Sequence, residues 1–184
     1  IKKLFLFLPF LFTPAIAFAD VEMSSNIDSG NTAWLIVSTI LVMIMTPAIA
    51  FFYSGMVREK NEVSTIMHSY MKLCVNTVIW VLWGYSIAFG SSVNGLFGSL
   101  EFLGFIGVGQ EALESMSVPH ILFATFQGMF AVITAAIITG SFAERVKLGP
   151  TLLFSTIWIT IVYAPVAHWV WGGGWIAVHF EPLD

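Results

Sequence analysis

The sequence predicts an all-α integral membrane protein, a polytopic bundle of four spanning helices. Three observations carry that prediction. Only 10% of the 184 residues are charged and 58% are hydrophobic, whereas soluble domains carry about 25% charged residues. Apolar segments close to the roughly 20 residues that a bilayer requires recur at about 32–53, 62–89, 119–143 and 150–171. The basic residues that separate them fall in alternate connections, as they do in a chain that threads a membrane.

Residues 1–19 read as a secretory signal peptide. Lys2 and Lys3 form a basic n-region, residues 4–12 an apolar core, and Ala17-Phe18-Ala19 a small-x-small site before Asp20. Pro9, Pro14 and the shortness of the apolar core set this segment apart from a spanning helix. Residues 20–31 form an outer N-terminal segment, and 32–184 form one membrane domain. Its first helix is uncharged, and its second, after Glu62 at its start, carries a single charge, Lys72. Between the second and third helices, the Gly-rich, acidic residues 90–118 leave room for a short interfacial helix.

The loops set the orientation. Arg58 and Lys60 lie between the first two helices, and Arg145 and Lys147 between the last two. Segments 20–31, 90–118 and the tail after Trp171 contain no Lys or Arg. The positive-inside rule therefore places the two basic turns in the cytoplasm and the N-terminus outside. A cleaved signal delivers the same topology.

Composition also narrows the function. The seven Lys and Arg are scattered over a chain of net charge −4, which leaves no footprint for nucleic acid. A single cysteine, Cys74, forms no intrachain disulfide and no Cys-based metal site. The HExxH, GxSxG and phosphate-loop signatures are missing, so neither an enzyme nor a cofactor or metal is expected.

The stretch FATFQGMF places Phe123, Phe126, Gln127 and Phe130 at i, i+3, i+4 and i+7 of the third helix, on one face. Such rings either pack against lipid and neighbouring helices or line the path of a cation. Gln127 is expected to bond across helices, and Gly128 to allow their close approach. Trp171, at the outward end of the fourth helix, suits an interfacial aromatic belt or a ring level with the top of the third.

In the second helix, Thr65, His68, Ser69, Lys72 and Asn76 form a polar stripe. Burial against neighbouring helices, with Lys72 snorkelling inward, is the expectation; a polar route or an anion site is the alternative. His120 and His168 stand near outer helix ends, with His179 in the outer tail, and a pair of such residues is the basis for a lesser reading as a membrane haem protein.

Four strings then fall in one order: TPAIAFFYSGMVREKN, WGYSIAFG, FQGMFAVITAAIITGSFAER and YAPVAHWVWGGGW. Each closes or spans a predicted helix. Together they resemble the first half of an ammonium transporter of the Amt/Mep/Rh family, over roughly residues 31–184. The resemblance implies a homotrimer in a bacterial inner (cell) membrane, each subunit an inverted-repeat helix bundle with its own pore. It implies that ammonium is recruited at an outer aromatic site and gives up its proton, and that ammonia and the proton then cross a narrow, mostly apolar pore.

By position, Phe126 and Trp171 would flank the cation and Phe130 would belong to a gate. Asp184 and Gln127 would help to organise the site, although a carboxylate there also suits a helix cap. The twin pore histidines of the family lie further along its chain and match none of the four here. The four helices are therefore expected not to conduct alone. The resemblance also implies a possible cytoplasmic PII-type signal protein as partner. The competing function is an ammonium-sensing receptor domain fused to a signalling module.

Overall fold

The computed structural model describes residues 27–113 and 116–180. The expected signal peptide and Asp184 lie outside the described residues. Helix α1 (Ser29–Ser54) starts at Asp28, whose carboxylate accepts the Asn31 backbone N–H at 2.6 Å. That bond satisfies one of the donors a helix start leaves free. A short 3-10 turn, Glu59–Asn61, leads into α2 (Glu62–Ile79), which continues through a π-helical turn, Trp80–Gly84, into α3 (Tyr85–Phe89). The third span is α4 (His120–Phe142). The fourth is α5 (Leu148–Trp158), a second π turn (Ile159–Tyr163) and α6 (Ala164–Val170). Four helices long and apolar enough to cross a membrane are present among the described residues, in register with the four expected.

The described residues of 90–118 hold no α-helix. They form a hairpin of β1 (Ser92–Val93) and β2 (Phe97–Gly98), then a 3-10 turn, Leu103–Phe105. Asn94 and Gly95 turn the hairpin, both at positive φ, the pairing favoured in tight hairpin turns. Beyond Trp171 the tail forms one more helix, α7 (Trp175–Phe180).

The two basic turns meet at one end of the bundle. Glu144 accepts hydrogen bonds from Arg58 Nε at 2.9 Å, the Arg58 backbone N–H at 3.0 Å and Asn61 Nδ2 at 2.8 Å. At the other end, the Asp28 N–H donates to the Ser117 carbonyl at 2.9 Å, and the Trp175 N–H to Gly95 at 3.0 Å. The alternation read from the loop charges is thus built into the fold, with both basic turns on one side.

Small residues on α4 bring the spans together. A Cβ at Gly128 would come within 2.7 Å of the Trp80 ring, and one at Gly140 within 2.7 Å of Tyr53. Trp80 is buried and donates its indole N–H to the Ala124 carbonyl at 3.0 Å. The Tyr53 hydroxyl donates to Ile137 at 2.8 Å. In lipid no water competes for such groups, so polar tips of large rings find backbone partners. The π turns of the second and fourth spans lie side by side: Trp83 donates to Thr160 at 2.9 Å, and Trp80 meets Tyr163 edge on at 6.1 Å.

Candidate functional site

The aromatic face of α4 divides in two. Phe126 and Phe130, one turn apart, meet edge to face with centroids 5.0 Å apart and planes at 82°. Both pack on the cluster of Val42, Ile133 and Ala136 that joins α4 to α1. Phe123 turns the other way and meets Phe89 of α3 at 5.2 Å, in the cluster around Trp80 and Tyr85. Helical spacing put the three rings on one broad face, but the neighbours divide it. Gln127 is half-buried, and its amide makes no hydrogen bond to another described residue, so the expected bond across helices is not made there.

Trp171 caps α6, with its N–H donated to the Ala167 carbonyl at 2.8 Å, and its side chain is 49% exposed. Its position is set by the residues around it. His168 is fully buried; its Nδ1–H donates to the Ala88 carbonyl at 3.0 Å, which leaves Nε2 to accept the Ser92 hydroxyl at 2.9 Å. A Cβ on Gly172 would overlap the Ala88 carbonyl oxygen. The glycine run after Trp171 therefore lets α6 close on the end of α3, holding the indole at the end opposite the basic turns.

A profile of the Ammonium Transporter Family matches residues 33–184. The chain belongs to this family. It is 50% identical to the ammonium transporter of Bacillus subtilis over 148 residues, covering 80% of this chain and 36% of that protein. To ammonium transporter Amt1 of Archaeoglobus fulgidus it is 46% identical over 148 residues, with the same coverage. Among solved structures it resembles Saccharomyces cerevisiae Mep2 with a TM-score of 0.77 and 41% identity, covering 84% of this chain and 34% of that one. A structure titled "Sensor Amt Protein" matches with a TM-score of 0.74 and 25% identity, over 80% of this chain and 37% of that one. The chain thus spans about a third of the length of these relatives.

Within this ammonium transporter fold His120 and His168 are structural anchors. Both ring nitrogens of His168 are engaged, and His120 shares a 2.6 Å hydrogen bond with the buried Tyr85 hydroxyl. The pair that a haem reading would need is therefore committed elsewhere. Among the described residues no group of three or more His, Cys, Asp or Glu is placed to hold a metal ion.

The polar stripe of α2 is buried along its whole length. Lys72 reaches α4, with Nζ donating to Thr139 Oγ1 at 3.0 Å and to the Ala135 carbonyl at 3.3 Å, and lies 5.6 Å from the Phe142 ring centre. Ser155 of α5 donates to Asn76 at 3.3 Å. The stripe thus packs between α4 and α5, as expected.

Glu144 was not singled out by sequence reasoning. Its carboxyl is held at about 2, chiefly by the Asn61 hydrogen bond and then by those from Arg58. Its left-handed backbone, φ 62°, aims it back at the other turn. The string FAER, with one acid among basic turn residues, was the available signal.

Proposed function

We propose that this chain forms the outer entrance of an ammonium/ammonia path across a bacterial inner membrane, with its basic turns in the cytoplasm. The observation that carries the proposal is the Phe126–Phe130 pair of α4 in a member of this family. These rings stand roughly 10 Å and 16 Å past Pro119, at about 1.5 Å per residue.

A cation over an aromatic face gains about 0.5–2 kcal/mol, more as water is excluded. Phe126 and Trp171 recruit ammonium in this way, while the half-buried Gln127 amide and Asp184 offer acceptors for its N–H groups. Phe130, edge-on beneath Phe126, blocks water and hydrated ions. Passing that ring strips the ion's solvent, and loss of solvent favours the neutral form of an amine. The ion therefore gives up its proton near the gate, and ammonia and the proton cross the path below separately, so that each transport event carries one positive charge. The remaining pore wall comes from the rest of an inverted-repeat subunit in a homotrimer, and the cytoplasmic turns offer a docking face for a PII-type signal protein.

The test is growth of transport-deficient bacteria on limiting ammonium, rescued by the native gene product that carries this chain. Rescue that weakens in Phe126→Leu and Trp171→Leu supports the reading; rescue indifferent to both substitutions overturns the aromatic site. The likeness to a sensor structure supports a second reading, ammonium sensing. It is favoured if the product binds ammonium without restoring growth.

A further inference from the structure

At the basic end, away from the aromatic entrance, a polar cavity of about 350 Å³ opens between α2, α4 and the start of α5. Its wall includes Asn61, Thr65, His68, Thr139, Arg145 and Lys147. His68 is only 7% exposed and makes no hydrogen bond to another described residue. The ring is buried among its neighbours but its nitrogens are not enclosed, so they stay available to what occupies the space beside them. Since His68 lines the cavity, its partner is to be sought there.

Thr139 points the same way. Thr125 and Thr134 of the same helix spend their hydroxyl protons on the carbonyls of Ile121 and Phe130, each at 2.7 Å. Thr139 instead accepts from Lys72, and the Ala135 carbonyl four residues back is taken by the same ammonium. The Thr139 proton is left for the cavity.

The charges around the cavity are unbalanced. Glu144 also lines it, but its carboxylate is taken up by Arg58 and Asn61. Lys72 is fully buried behind Thr139, with no carboxylate partner among the described residues. Arg145 and Lys147 stand at the rim. The first turn of α5, which also borders the cavity and lacks a side-chain cap, adds free N–H donors and the positive end of a helix. Donors and positive charge converge, and the one acid is already neutralised.

We infer that this cavity binds a phosphate-class oxyanion at the membrane surface. His68 and Thr139 donate to it from the floor, and Arg145 and Lys147 from the rim, as charge-assisted hydrogen bonds. The site is independent of the ammonium path and stands or falls separately from it.

The test is NMR of the full chain carrying 15N-labelled histidine in maltoside micelles, a detergent without phosphate. Inorganic phosphate is titrated at fixed pH and ionic strength. The His68 signals are expected to shift saturably, while those of His120 and His168, at the opposite end, stay in place. In the double variant Arg145→Ala/Lys147→Ala, which alters only exposed turn residues, the affinity is expected to fall about tenfold or more.

A second titration with short-chain phosphatidic acid identifies the source. A shift at lower concentration than free phosphate needs, competed by it, makes a lipid headgroup the ligand; a response to free phosphate alone makes it a soluble anion. Either result supports the site. A His68 signal that neither probe moves, an equal shift from chloride, or a double variant that binds as tightly as the wild type overturns it.

Discussion

Replacing Gly128 by alanine tests how α4, the helix that presents Phe126 and Phe130, is seated on the second span. The new Cβ would stand 2.7 Å from Trp80 Cδ1 and 2.9 Å from Nε1, where ordinary contact begins near 3.4 Å. The ring has no room to retreat. It is 2% exposed, tied to Ala124 through its N–H, and flanked by Tyr85, Phe89 and Tyr163 with centroids 5.9, 6.4 and 6.1 Å away.

Overpacking of this kind costs about 1–3 kcal/mol. Loss of the Trp80–Ala124 bond adds about 0.5–1.5 kcal/mol, and the better helix propensity of alanine returns about 1 kcal/mol. The expected net loss is about 0.5–3.5 kcal/mol. Unfolding of the chain in micelles by added dodecyl sulfate, followed by tryptophan fluorescence, measures it. Gly149→Ala is the control, since nothing lies within 4 Å of its added Cβ, and a change within about 0.5 kcal/mol is expected there. A Gly128→Ala chain as stable as wild type, with unaltered fluorescence, would refute the reasoning.

Three further outcomes are expected. Lys72→Met removes a fully buried cation that has no acid partner among the described residues. It should raise resistance to the same denaturant by about 1–3 kcal/mol; a loss of stability contradicts this. Glu144 has a depressed folded pKa, about 2 against an ordinary 4.5, so its contribution is present above pH 4.5 and lost as the pH falls toward 2. Acid unfolding should show that loss in the wild type and not in Glu144→Ala, and identical profiles would exclude it. In the native gene product, Phe126→Leu should raise the ammonium concentration for half-maximal uptake about 2- to 30-fold, the equivalent of one cation–ring contact. An unchanged value would remove Phe126 from the recruitment site.

The four spans were legible because length and the scarcity of charge are properties a bilayer demands of any helix that crosses it. The pairing of the basic turns was legible too, in Arg58, Lys60, Arg145 and Lys147. The two π turns were not: an extra residue in a helical turn leaves no mark on an apolar run such as WVLWG. The hairpin was overlooked although Asn94-Gly95 announces it, because the composition of residues 90–118 suggested only an interfacial loop. The family strings located Phe126 and Phe130 in α4 and Trp171 at the end of α6. Periodicity alone did not separate Phe123 from them, since only the neighbouring helices determine which ring goes where. His168 read as an interfacial residue and proved a buried anchor, because Ala88 and Ser92 are far from it in sequence and close only after folding.

Ammonium-evoked charge movement tests the proposed entrance most directly. The native gene product is reconstituted in proteoliposomes on a solid-supported membrane and challenged with ammonium steps. The proposal predicts a saturable current in the wild type, shifted to higher ammonium by Phe126→Leu and by Trp171→Leu. No ammonium-evoked current from folded protein, or one indifferent to the loss of both rings, would contradict it.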